Sequence, residues 1–197
     1  FNLIIPHIPS FPYPNKIVSP FMGGGSLESR WSSEMGIKVE AYDIFDALVI
    51  FWNQLLSNPV ELADKLKELK PDKDTYALIK EKLMCWDYTQ HMLKDWNTNH
   101  YKRNPTTLTD LEAATYYFYN HNLSYGPMYL GWMSKIYESQ TKWDKAVDRI
   151  RKYNNPLLSV NKGSFEDVIT SSTNELLYLD PPYYLEKGSK LYGNSGD

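Results

Sequence analysis

The stretch KIVSPFMGGGSLE, residues 16–28, decides how the rest of the sequence is interpreted. Its first four residues form a short, mainly apolar run that is typical of a buried strand in a parallel sheet. Three consecutive glycines follow, and they allow the backbone to turn sharply and to approach a ligand without a Cβ in the way. A helix is predicted to begin near Ser26, so its free amide groups point back toward the turn. This order predicts a ligand site at the carboxyl end of the first strand.

Three further short apolar runs resemble the first one, and helical patterns join or interrupt them. The additional strands are predicted at residues 38–42, 157–160 and 176–179. The helices are predicted at residues 44–56, from Pro59 to about Leu69, from the capping pair Thr109 and Glu112 through Tyr119, and from Thr141 to about Tyr153. Short buried strands that alternate with helices predict an α/β fold with an open parallel sheet.

The predicted strands fall into two groups, one near each end of the sequence. We therefore expect one α/β domain built from residues 1–57 and 156–197, with a mainly helical insert at residues 58–155. Four strands make a thin sheet, and the sequence neither starts with Met nor continues far beyond the last predicted strand. We expect the sequence to be incomplete at both ends.

The composition excludes several classes of protein. Hydrophobic residues make up 42% of the 197 residues, which is enough for a buried core and excludes global disorder. No uninterrupted apolar run approaches the roughly 18 residues that a membrane span needs. The single cysteine, Cys85, excludes an internal disulfide and a cysteine-based zinc site, and the four histidines show no metal-ligand spacing. We expect an intracellular, cytoplasmic protein with no metal and no membrane association.

The charges are distributed unevenly, although the net charge of the whole chain is only −3. Residues 61–155 contain 15 Lys and Arg against 13 Asp and Glu, a balance too weak to establish a polyanionic partner. The best candidates for phosphate contacts are the segment 100–104, which includes Lys102 and Arg103, and the basic row Lys142, Lys145, Arg149, Arg151 and Lys152. A solvated surface is the alternative interpretation of both groups, because Asp144 and Asp148 interleave with the row.

An acidic residue after the second predicted strand indicates the kind of ligand. Asp43 lies 20 residues after Gly23, the spacing at which an α/β domain presents a carboxylate to ribose hydroxyls. Glu28 stands where a dinucleotide site has its third glycine, and its negative charge would repel a pyrophosphate. No Gly-Lys-Ser/Thr sequence follows the turn, which disfavours a nucleoside triphosphate. A ribose-bearing ligand without phosphate fits better, and S-adenosyl-L-methionine is the common one.

The fourth predicted strand leads into Asp180-Pro181-Pro182-Tyr183 at the same edge of the sheet. Two successive prolines hold the turn rigid and leave their carbonyl oxygens free to accept hydrogen bonds. Together with the Asp180 carboxylate they form a group of acceptors that suits a planar exocyclic amine, and Tyr183 offers a flat face for stacking a base. Acceptors that orient such an amine favour its attack on an electrophilic methyl group.

These two motifs resemble those of the Dam-type adenine-specific DNA methyltransferases. Residues 17–26 are similar to the cofactor motif of that family, and residues 180–183 are similar to its catalytic motif. Their order, with a target-recognition insert between them, also agrees. The resemblance implies a Rossmann-like methyltransferase sheet and S-adenosyl-L-methionine as the cofactor. It further implies methylation of the exocyclic N6 amine of an adenine flipped out of double-stranded DNA, at a specific site. A cognate restriction endonuclease is an expected partner.

The resemblance also implies roles for individual residues. The cofactor-binding residues would be Pro20, Phe21, Gly23, Gly24, Gly25, Ser26, Asp43, Phe165 and Asp180, with Asp43 on the ribose and Phe165 beside the adenine of the cofactor. Asp180 and the carbonyl of Pro181 would bind the target amine, with Pro182 in the same turn and Tyr183 stacked on the base. DNA contacts are expected from the residues Lys102, Arg103, Asn120, Asn122 and Tyr125.

Two alternatives remain open at this stage. The amine acceptors suit any planar amine, so cytosine, RNA or a protein glutamine is an alternative methyl acceptor. Ser19 and Ser164 stand where family members usually or often carry an acid, which motivates a catalytically silent DNA-binding or structural remnant with the same fold. A nicotinamide dehydrogenase is a distant third, because neither Glu28 nor the proline turn has a role in it.

Overall fold

A computed structural model describes residues 15–91, 106–125, 129–133, 135–172 and 175–181, with the backbone alone for 87–91. The described residues divide into two compact units. The first unit contains residues 15–56 and 154–181, and the second contains residues 57–153. We describe each unit separately.

A parallel four-stranded sheet forms the centre of the first unit. Its strands are β1 (Lys16–Ser19), β2 (Lys38–Asp43), β3 (Leu158–Lys162) and β4 (Leu176–Leu177). They lie side by side in the order β3-β2-β1-β4, and every neighbouring pair is parallel. Because β1 lies between β2 and β4, the segments that leave these three strands meet at one edge of the sheet.

The described residues contain seven α-helices. They are α1 (Ser26–Met35), α2 (Asp46–Ser57), α3 (Pro59–Lys67), α4 (Lys73–His91), α5 (Asp110–Leu123), α6 (Gln140–Arg151) and α7 (Phe165–Ser171). Helices α1 and α7 pack on the sheet of the first unit, and α3 to α6 pack together in the second. None of the described helices combines the length and the apolar character needed to cross a membrane.

Each unit has its own buried core. In the first unit Val39 and Ala41 of β2 are fully buried, and Trp31 of α1 is 1% exposed. In the second unit Trp143 of α6 is also 1% exposed, and its indole N–H donates to the carbonyl of Leu66 at 3.3 Å. The bond fixes α6 against α3 and satisfies a polar group that burial would otherwise leave without a partner.

The α/β fold with a parallel sheet that the sequence predicts is confirmed. All four strands overlap their predicted positions, although β2 and β3 extend to Asp43 and Lys162, and β4 ends at Leu177 and not at residue 179. Helices α4 and α7 are absent from the sequence-based prediction. The start of α4 has a signal that the prediction overlooked, because the carboxylate of Asp72 accepts a hydrogen bond from the amide of Thr75 at 2.8 Å, as an N-cap residue does.

Candidate active site

The glycine turn and the acidic proline turn leave adjacent strands at the same edge of the sheet. Val18 of β1 is in register with Leu177 of β4, and the amide of Tyr178 donates to the carbonyl of Val18 at 2.9 Å. The chain reaches Pro20 two residues after Val18 and Asp180 two residues after Tyr178. The parallel sheet therefore brings together two motifs that lie about 160 residues apart in the sequence.

The conformation of the glycine turn explains why glycines are needed there. Gly23 and Gly25 adopt left-handed φ angles of 49° and 62°. A Cβ on Gly25 would lie 2.5 Å from the ring of Trp52, so only glycine fits at this position. By contrast, a Cβ on Gly23 or Gly24 would meet no atom within 4 Å. The backbone at these two glycines therefore borders open space into which a ligand can approach.

Asp43 links the glycine turn to the end of β2. One of its carboxylate oxygens accepts from the amide of Gly23 at 3.0 Å, and the other accepts from the amide of Phe45 at 3.0 Å. A carboxylate oxygen has a second lone pair, so both oxygens retain capacity for a ligand hydroxyl. The backbone carbonyl of Asp43 also accepts from the amide of Gly163 at 3.2 Å, just before α7. Asp43 thus holds the loops after β1, β2 and β3 in one arrangement.

Two aromatic rings adjoin the glycine turn. Phe21 stacks on Phe165, with ring centroids 5.2 Å apart and planes inclined by 29°. Phe165 is the first residue of α7 and is 40% exposed, so part of its ring is free to contact a flat ligand. Ser164 caps this helix, because its hydroxyl accepts from the amide of Asp167 and donates to the Asp167 carboxylate at 3.0 Å. The serine thereby fixes where Phe165 begins the helix.

Glu28, which the sequence identifies as a barrier to pyrophosphate, is buried beneath the same edge. It is 3% exposed, and its carboxylate accepts a 2.7 Å hydrogen bond from the fully buried hydroxyl of Ser19. Burial raises the pKa of Glu28 above its ordinary value, the hydroxyl of Ser19 opposes this effect, and the charge of Asp180 adds to it. The site therefore has two acidic groups, Glu28 and Asp180, close enough for the charge of one to affect the other.

Asp180 and Pro181 are both exposed at this edge. The hydroxyl of Tyr178 lies 3.4 Å from a carboxylate oxygen of Asp180, and the Tyr178 ring packs edge-on against Trp31 with centroids 4.8 Å apart. Sequence reasoning missed Tyr178, because its contacts depend on strand pairing that the sequence pattern does not specify. Pro182 and Tyr183, predicted to act with Asp180, lie outside the described residues.

A loop after α5 in the second unit carries two exposed aromatic side chains. Tyr125 and Trp132 are 52% and 58% exposed, and their rings stack with centroids 4.7 Å apart and planes inclined by 17°. The amide of Tyr125 donates to the carbonyl of Trp132 at 2.9 Å, which closes the loop. The sequence identified Tyr125 as a candidate but gave no signal for Trp132, since the pairing arises only when the loop closes.

The other predicted DNA-binding residues occupy different environments. Asn120 is fully buried, and its side-chain oxygen accepts from the amide of Leu130 at 2.8 Å. Leu130 has a left-handed φ of 55°, so Asn120 supports a strained position in the aromatic loop. Asn122 is half-buried near the end of α5. Lys102 and Arg103 lie outside the described residues.

Comparison with known protein families shows which family the chain matches. A family model described as the D12 class N6 adenine-specific DNA methyltransferase matches residues 1–196. No curated protein sequence matches the chain.

Proposed function

Because the chain belongs to the D12 class of N6 adenine-specific DNA methyltransferases, we propose that it methylates the N6 amine of a flipped-out adenine at a specific site in duplex DNA. One observation supports the proposal most strongly. The glycine turn after β1 and Asp180 after β4 leave neighbouring parallel strands at one edge of the sheet. A methyl donor held by the first and an amine held by the second would be within reach of each other.

The residues around the glycine turn suit S-adenosyl-L-methionine. Open space borders Gly23 and Gly24, Asp43 retains acceptor capacity for ribose hydroxyls, and the exposed part of Phe165 suits a purine ring. The buried carboxyl of Glu28 is compatible with a ligand that carries positive charge and no phosphate. When bound, the cofactor supplies an electrophilic methyl group. In this proposal Pro20, Phe21, Gly25 and Ser26 shape the same turn.

Asp180 and Pro181 act on the target amine. The carboxylate and the carbonyl oxygen accept its two hydrogens, which orients the nitrogen lone pair and stabilises the positive charge that develops on nitrogen. Pro182 keeps the turn rigid, and Tyr183 stacks on the base in this proposal. No covalent bond to the protein is needed.

The second unit is proposed to recognise DNA, as part of an insert at residues 58–155. The stacked pair Tyr125 and Trp132 offers an exposed aromatic surface for unstacked bases. Asn120 enters this proposal as support for the loop, because its side chain is buried. Asn122, Lys102 and Arg103 remain proposed contacts, and a cognate restriction endonuclease remains a proposed partner.

Product analysis tests this function directly. The full-length protein is incubated with unmethylated duplex DNA of mixed sequence and cofactor labelled in the methyl group, and the DNA is then digested to nucleosides. We expect label in N6-methyl-2′-deoxyadenosine. Separate assays with short duplexes of defined sequence should show that only duplexes containing one short sequence are labelled. Label in N4-methyl-2′-deoxycytidine would assign the amine of cytosine instead. If the protein is folded and binds the cofactor but labels no duplex, the result would instead support a catalytically silent remnant with the same fold.

A further inference from the structure

Four cationic side chains share one face of α6 and the residue just after it. Lys142, Lys145, Arg149 and Lys152 are spaced by three, four and three residues, which places them in one row along the helix. All four are exposed. The face of α6 that packs on the core is buried and contains Trp143, Ala146, Val147 and Ile150. Trp143 and Ala146 also line the groove beside the cations. The sequence alone did not separate this row from Arg151, which points elsewhere and pairs with Asp64.

The row borders a groove within the second unit. The groove has a volume of about 620 Å³, and it extends to Asn122 and Leu123 at the end of α5 and to Tyr137. Its lining contains the four cations and a single carboxylate, Asp148. Hereafter we call it the α6 groove.

The four cations that line the α6 groove outnumber the one carboxylate in its lining, Asp148. Within the described ranges, none of the four cations takes part in an ion pair, whereas the neighbouring acid Asp144 accepts a hydrogen bond from Gln140 at 2.8 Å. Cations gathered on one surface repel one another, and a polyanion that binds there gains from relieving this repulsion and from releasing its own counterions.

We infer that the α6 groove binds the sugar–phosphate backbone of duplex DNA, an inference that rests on the proposed function. The row from residue 142 to 152 rises about 15 Å along the helix axis, because each residue adds about 1.5 Å. Duplex DNA carries one charge per about 1.7 Å of its axis, so a row of this length spans several phosphates. A small anion would engage only one or two of these cations.

The position of Asn122 favours DNA over an unrelated polyanion. Asn122 lines the groove and lies three residues before Tyr125, whose ring forms the exposed aromatic pair with Trp132. A backbone site and a base-stacking surface thus adjoin along one stretch of chain. This arrangement lets phosphate contacts set the register while the aromatic loop meets the bases.

Salt-dependent binding tests the inference. Duplex binding by the full chain is measured by fluorescence anisotropy in the presence of S-adenosylhomocysteine, over a series of salt concentrations. The test variant carries Lys145→Gln and Arg149→Gln. The control carries Lys65→Gln and Lys67→Gln on α3, which removes the same charge from exposed side chains outside the groove lining.

The test variant should lower the slope of log K against log salt by about 1.8, since each lost phosphate contact removes about 0.9. Its affinity at about 0.1 M salt should fall roughly ten- to sixtyfold, while the control stays near wild type. Equal slopes for the test variant and wild type, or equal losses in both variants, would overturn the inference. The inference would also be overturned if single-stranded DNA bound more tightly than the duplex and if the loss of affinity in the test variant occurred only with the single strand.

Methyl transfer separates this inference from the proposed function. At saturating DNA the test variant should keep the wild-type kcat, with the loss confined to KM for DNA. If wild type transfers methyl groups and the slopes do not differ, the inference fails and the function stands. If wild type transfers none but the slope falls only in the test variant, the function fails and the groove remains a DNA site.

Discussion

At the residue scale, Gly25 illustrates how one position fixes the shape of the cofactor turn. It combines a left-handed φ of 62° with a space that the ring of Trp52 and the methyl group of Met22 already occupy. Gly36, at the end of α1, has a similar φ of 68° but no neighbour within 4 Å of the Cβ position. The two glycines therefore separate the cost of backbone strain from the cost of a steric clash.

Gly25→Ala should lower the free energy of unfolding by about 2–4 kcal/mol, because strain and overpacking add. Gly36→Ala, the matched control, should cost only about 1–2 kcal/mol from strain. Urea denaturation measures both. Equal losses in the two variants would mean that Trp52 yields easily and does not define the turn.

Glu28 provides a pH-dependent prediction. Burial raises its pKa, so the folded state favours the protonated carboxyl, and the ionised form costs stability once the pH exceeds the folded-state pKa. This cost disappears as the pH falls below the unfolded-state pKa. Glu28→Gln should therefore increase the free energy of unfolding at neutral pH, and the gain should shrink toward acid pH.

Denaturant unfolding at several pH values measures this effect. Ser19→Ala serves as the comparison, because it removes the hydroxyl that stabilises the carboxylate and should cost about 1–3 kcal/mol at neutral pH. A Glu28→Gln variant that is clearly less stable than wild type at neutral pH would show that the carboxylate has net favourable interactions in the fold.

At the element scale, the aromatic loop between α5 and α6 is the part with a specific predicted role. Trp132 and Ile136 are exposed to a similar extent, 58% and 64%, but only Trp132 stacks on Tyr125. Trp132→Ala should reduce base flipping, because an unstacked base loses about 1–3 kcal/mol when an aromatic partner is removed. We expect a roughly fivefold or larger fall in the affinity for target DNA.

Fluorescence of 2-aminopurine at the target adenine reports the flipping step in the same experiment. The signal should decrease in Trp132→Ala and remain near wild type in Ile136→Ala. A Trp132→Ala protein that flips the base normally would remove this loop from the proposed mechanism.

At the element scale, sequence patterns predict strands and helices better than they predict contacts between distant residues. Strands β1 and β2 and helix α5 were predictable, since short apolar runs and a Thr-Glu capping box are local signals. The contacts of Ser19 with Glu28 and of Trp132 with Tyr125 were not, because each joins residues through a turn whose path the sequence does not encode locally. Asn120 appeared available for base contacts in the sequence, but packing places it in the core.

At the scale of the whole molecule, the sequence motifs predicted the position of the site because a parallel sheet allows few arrangements of its strands and loops. A parallel sheet delivers every loop after a strand to one edge, so the glycine turn and Asp180 had to share that edge once both were assigned to strands. The order β3-β2-β1-β4, which makes their strands neighbours, was not predictable from the motifs and comes from the structure. This adjacency is the basis of the account.

Single-turnover methyl transfer by Asp180→Asn, with DNA and cofactor both saturating, tests the central claim. The variant keeps the size of the side chain but replaces one acceptor oxygen with a donor, so the rate should fall at least about 100-fold. Tyr178→Phe, which removes the hydroxyl 3.4 Å from Asp180, should retain most of the rate. A folded Asp180→Asn protein that transfers methyl groups at the wild-type rate would contradict the account.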